Sequence, residues 1–142
     1  MATVELRFSA LPEHVRTARL VAAAVARRAG VDEAVLDEVR LAVGEACTRA
    51  VGLHLSNGVN APVRVVLTEE EKKFSIEVGD ESPTSAALVS GSHAEADDEA
   101  EGEDEMGLAV ISGLVDDVEV TSSETGGVIR MSWPTSREPL VS

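Results

Sequence analysis

In VELRFSA (4–10), Val4, Leu6 and Phe8 alternate with Glu5 and Arg7, the period-two pattern of a strand with one buried face. The period then changes. In LPEHVRTARLVAAAVARRAG, Leu11, Val15, Ala18, Ala22, Val25 and Ala29 recur every three or four residues, with Pro12 at the start and Gly30 just past the end. That combination predicts an amphipathic helix. Asp32 is placed to N-cap a second helix, whose apolar stripe runs through Leu36, Val39, Val43, Ala46 and Ala50 and ends near Leu53 to Leu55. SNGVNAP breaks it. Two alternating runs follow, Val63, Val65, Leu67 and Phe74, Ile76, Val78, with the charged EEEKK between them, which predicts a hairpin.

From Glu81 to Glu105 the chain turns small, polar and acidic, with little apolar area to offset the entropy of ordering it. A mobile acidic loop is expected over 82–105. MGLAVISGLVDD then predicts a helix of about ten residues. VEVTS and GGVIRMSW predict two last strands joined by a turn at Thr125, Gly126 and Gly127. Adjacent strands beside grouped helices imply an α+β fold in a single domain, 1–142: a two-layer sandwich with a mixed, mostly antiparallel sheet and helices on one face.

Composition narrows the partners. The formal net charge of −14 comes from 26 acids against 12 Lys plus Arg, a balance that repels nucleic acid and anionic membrane surfaces. Aromatic residues are 2% of the chain, so no base-stacking platform is available. No apolar run is long enough for a membrane span, and the start lacks the layout of a signal peptide, so a cytoplasmic location is expected. Cys47 is the one cysteine, which leaves no disulfide framework within the chain. It lies beside an apolar stripe and reads as a small buried hydrophobe. His14, His54 and His93 are too scattered to suggest a metal site, and Trp133 ends a strand over a core edge. The acidic run Glu95 to Glu105 lacks the spacing of an EF-hand calcium loop.

Three local sequences carry chemistry: EACTRA (45–50) on the second helix, Asp80-Glu81-Ser82-Pro83-Thr84 after the hairpin, and EDEMGL (103–108) before the next helix. With the order of elements over roughly Val4 to Pro134, they resemble the histidine-kinase-like (Bergerat) ATPase fold, and within it the small bacterial anti-sigma factors that double as serine protein kinases. Those proteins carry Glu-Ala-Cys-Thr-Asn-Ala, Asp-x-Gly-x-Gly and Gly-x-Gly-Leu at the three places. The resemblance implies that Glu45 is the general base for a substrate serine and that Asp80 accepts a hydrogen bond from the adenine amino group. Arg49 and Gly107 then belong to the nucleotide-binding set. It also implies that Arg16 and Arg19 on the first helix touch protein partners, unless they form only a solvated helix face.

The chain departs from that pattern. Arg49 stands where an asparagine would ligate Mg²⁺; a guanidinium has only donors and ligates no metal. Its spacing from Glu45 suits an i,i+4 ion pair, with direct contact to a phosphate as the alternative. Ser82 and Thr84 replace glycines. Asp80 then either anchors adenine or simply caps a turn. Glu103, Asp104 and Glu105 bring carboxylates to the helix start, where they complement its dipole and repel phosphate. The expected function is that of an anti-sigma factor that sequesters an RNA polymerase sigma factor and is countered by an anti-anti-sigma protein, acting as a homodimer and without a cofactor. The alternative is an active serine kinase using Mg-ATP to phosphorylate its antagonist.

Overall fold

In the computed structural model, residues 2–82, 111, 113, 115, 117–123 and 126–135 are described. Strand β1 (Ala2–Phe8) leads through Ser9 to Leu11 into helix α1 (Pro12–Ala29). Pro12 occupies the first turn, where its missing N–H costs nothing. Gly30 ends α1 in the left-handed region at φ 102°, and the Val31 N–H reaches back to the Ala26 carbonyl at 3.0 Å, a closure that favours glycine. Asp32 caps as expected from its type, its carboxylate accepting from the Ala34 N–H at 2.9 Å. What it caps is a short 3₁₀ turn, Glu33–Val35. Helix α2 (Leu36–Ser56) follows directly.

Strands β2 (Val63–Glu70) and β3 (Lys73–Asp80) form the hairpin. The turn is only Glu71 and Lys72, with Lys72 at φ 62°. Glu69 and Glu70 stay in the ladder, opposite Phe74 and Lys73. Strands β4 (Asp117–Ser123) and β5 (Gly126–Pro134) complete one five-stranded sheet in the order β1-β2-β3-β5-β4. Every described pairing is antiparallel, so the mixed sheet expected from the sequence is uniform here. Gly126 and Gly127, expected in a turn, are strand residues opposite Ser123 and Ser122. Ile111 and Gly113 have helical backbone, consistent with the helix expected there; Gly107, the acidic loop apart from Ser82, and Thr125 lie outside the described residues.

Both helices lie on one face of the sheet, and burial explains why. Val63, Val65, Leu67, Phe74, Ile76, Val78, Ile129, Met131 and Trp133 point into the core, one residue in two along β2, β3 and β5. Against them pack Val39, Val43, Ala46, Cys47 and Ala50 of α2. The small face of α1, with Ala18, Ala22 and Ala26 almost fully buried, lets the two helices approach closely. Trp133 lies beside its cross-strand partner Phe74, ring centroids 6.4 Å apart, over the edge of the core. Among the described residues no helix is long and apolar enough to cross a membrane.

One backbone approach is tight. A Cβ on Gly126 would land on the Asp80 carbonyl oxygen and crowd Glu81 Cα, so β5 closes on the end of β3 only because position 126 has no side chain. Gly126→Ala is expected to cost about 1–3 kcal/mol of unfolding free energy, the usual scale of overpacking, read as a lower urea midpoint. An unchanged midpoint would show that the approach is not required.

Candidate functional site

The far end of β3 is held by the last two turns of α2. Asp80, the final residue of β3, turns its carboxylate toward the helices. One oxygen, Oδ1, accepts the Ser82 N–H at 2.9 Å. The other, Oδ2, lies 3.9 Å from Arg49 Nη1, and both side chains are 3% exposed. This opposite-charge contact is out of reach of solvent screening. The Arg49 partner expected from local spacing is therefore corrected: the guanidinium turns to Asp80, and Glu45 forms no ion pair with it among the described residues. The core-facing position of Arg49 on α2, between Ala46 and Ala50, aims its long side chain at the sheet. An exposed i,i+4 pair is worth only about 0.2–0.5 kcal/mol, too little to hold it outward against a buried carboxylate.

Two further side chains of α2 fasten the same segment. His54, fully buried, accepts the Glu81 N–H at Nε2, 2.8 Å away. Its Nδ1 lies 3.0 Å from the Ala61 carbonyl; with Nε2 accepting, the ring proton belongs on Nδ1 and is donated there. The Asn57 amide donates to the Leu53 carbonyl at 2.8 Å and to Ser82 Oγ at 3.1 Å. Arg49, His54 and Asn57 thus bind residues 80–82 from one helix end. Neither His54 nor Asn57 was anticipated as a site residue. The only signal for either was polar chemistry at the close of an apolar helix.

Glu45 lies elsewhere. It is half-buried on the other side of α2, in a groove of about 290 Å³ between α1 and α2, shared with Arg16, Arg19, Arg40, Leu41 and Thr48. The stem of Arg19 runs over Gly44: a Cβ there would meet Arg19 Cδ at 2.8 Å. Leu41 is 53% exposed. The structure therefore brings Glu45 together with Arg16 and Arg19, and Arg49 together with Asp80, as two separate groups. Leu41, Gly44, Glu45 and Thr48 follow helical spacing on one face of α2; Arg40 and Leu41 were the groove residues that sequence reasoning passed over.

A family model described as "Histidine kinase-like ATPase domain" matches residues 8–133. The serine-protein kinase RsbW of Oceanobacillus iheyensis is 28% identical over 134 residues, covering 91% of this chain and 84% of that protein. A solved structure described as the RsbU and RsbW domains of Rv1364c from Mycobacterium tuberculosis superposes with a TM-score of 0.70 at 16% identity. It covers 96% of this chain, which spans only 33% of that larger one, and at that identity the likeness is one of fold.

The described residues do not fit Mg-ATP. Asp80 already faces a guanidinium at 3.9 Å and accepts a backbone N–H, so an adenine amino group would share this carboxylate with a buried cation and a backbone N–H. Arg49 offers no lone pair to a metal, and no three His, Cys, Asp or Glu side chains converge among the described residues.

Removing one member of a buried pair strands the other, at a cost of about 3–5 kcal/mol. Arg49→Met and Asp80→Asn are each expected to be strongly destabilising, and the double variant less so than the sum, with a coupling above about 0.5 kcal/mol in a urea-denaturation cycle. Simple additivity would show that the two groups do not interact. Cys47, whose thiol burial pushes up to about 12, is expected to resist alkylation at pH 8 until denaturant is added. Rapid labelling of the native protein would contradict its burial.

Proposed function

The chain belongs to the histidine kinase-like ATPase domain family, and from that membership we propose that it is an anti-sigma factor that works by binding rather than by phosphoryl transfer. It sequesters an RNA polymerase sigma factor and is released by a small anti-anti-sigma protein. The observation that carries this reading is the α1–α2 groove, where Arg16, Arg19 and Arg40 surround the exposed Leu41. Arginine beside an exposed apolar side chain is the composition of a protein-binding patch. In a chain of net charge −14, a local cluster of cations also steers acidic partner surfaces toward one place. A fold can keep its binding surfaces where its nucleotide motifs differ, which supports the same reading, while the printed description of the relative as a serine-protein kinase bears on the second reading below. The protein acts as a cytoplasmic homodimer and needs no nucleotide to bind.

A second reading is favoured by one observation. Glu45 opens onto this same groove, so a partner serine seated there would lie near the carboxylate, as a serine kinase requires of its base.

Calorimetry against purified alternative sigma factors, without nucleotide, tests the first reading. Binding to one of them is expected, weakened about tenfold or more by Arg16→Glu; no binding, or undiminished affinity in the variant, would overturn the proposed surface. Transfer of phosphate from Mg-ATP to a serine of the antagonist, abolished by Glu45→Ala, would establish the kinase instead.

A further inference from the structure

The sheet has a second face, turned away from both helices, and one row across it is unlike the rest. Arg7 of β1 lies opposite Arg64 of β2, Arg64 opposite Gly79 of β3, Gly79 opposite Val128 of β5, and Val128 opposite Thr121 of β4. Their neighbours Leu6, Phe8, Val63, Val65, Val78 and Ile129 pack on the core side, so by strand alternation this row points the other way. Gly79 contributes no side chain, and the gap it leaves is the floor of a cavity of about 470 Å³, lined also by Pro62, Asp80, Glu81, Gly126 and Gly127; the Asp80 carboxylate is 3% exposed and faces Arg49. That volume is within the range of small-molecule sites.

Of the two arginines in this row, one is paired by the protein and one is not. Two arginines directly opposite on neighbouring strands repel one another. Arg7 is answered by Glu5. The Arg64 side chain, exposed, has no hydrogen bond or ion pair among the described residues. Its guanidinium leans over the floor, with Nη2 and Nε 3.7 and 3.8 Å from where a Gly79 Cβ would be. A side chain at 79 would fill the hollow. The opposite charge nearest at hand, Glu81 at the rim, shares the lining.

We propose that this hollow is an anion site, separate from the α1–α2 groove, that takes a small molecule bearing a phosphate monoester. Two arginines at directly opposite strand positions carry the charge to match a phosphate dianion, and each guanidinium is a planar fork of the kind that pairs with phosphate oxygens. An oxyanion between Arg7 and Arg64 converts their repulsion into two attractions. Thr121, at the other end of the row, supplies a hydroxyl, and the bare floor at Gly79 lets the ligand lie close to the β3 backbone. The inference does not depend on the anti-sigma reading, since none of its residues belongs to that surface.

The probe is inorganic phosphate, titrated into the full chain by thermal shift and by phosphorus NMR against sodium chloride of equal ionic strength. Phosphate is expected to raise the melting temperature above the chloride control. Arg64→Gln, an exposed change that leaves the core untouched, is expected to weaken binding about tenfold, and Arg16→Gln, in the groove between the helices, to leave it unchanged. A phosphate response no larger than that of chloride would overturn the proposal. So would a response that survives Arg64→Gln or that disappears in Arg16→Gln, since either would place the anion elsewhere. Circular dichroism of each variant confirms that the comparison is made between folded proteins.

Discussion

A guanidinium and a carboxylate, each 3% exposed and 3.9 Å apart, tie α2 to the end of β3, and much of the molecule is arranged around that tie. Neither charge can be left alone in an apolar interior. Once Arg49 is placed among the core-facing residues of α2, Asp80 must stay where it is, and with it the turn through Glu81 and Ser82. His54 and Asn57 reinforce the same junction with hydrogen bonds to residues 81 and 82. From the other side, Gly126 allows β5 to close against Asp80 and Glu81. Three elements therefore meet at one point, and each contact there presupposes the others.

The functional consequence is a separation of roles along α2. Its inward face carries Arg49 and His54 and is occupied with the protein's own groups. Its outward face, Leu41, Gly44, Glu45 and Thr48, is open to solvent beside the arginines of α1. On the inward side, a guanidinium is held against Asp80, the residue that the family resemblance makes the expected acceptor for adenine.

Most of the architecture could be read from periodicity. The alternation in β1, β2 and β3 and the three-to-four spacing in α1 and α2 each named the face that is buried, because burial on one side is what creates the pattern. Errors arose where polar residues have a tertiary reason to be ordered. EEEKK looked like a loop, yet Glu70 continues β2 because Ser75 donates to it at 2.9 Å and Arg130 approaches it at 3.5 Å. Gly126 looked like a turn residue, yet its missing side chain serves a close strand approach. In the site, Arg49 has a local partner at ideal spacing and ignores it. A charge's true partner is decided by burial, and Asp80 lies in another strand, beyond the reach of helical arithmetic. For His54 the sequence offers only its place at the close of an apolar helix and no partner, since both of its ring contacts are to backbone atoms.

The most direct measurement of what the Arg49–Asp80 tie does is an isothermal titration of Mg-ATP into the purified protein, repeated with Arg49→Asn. The native chain should bind more weakly than Arg49→Asn, since the guanidinium beside Asp80 competes with the adenine amino group. Micromolar binding to the native chain, no weaker than to Arg49→Asn, would contradict the central claim that this carboxylate is held by the protein itself.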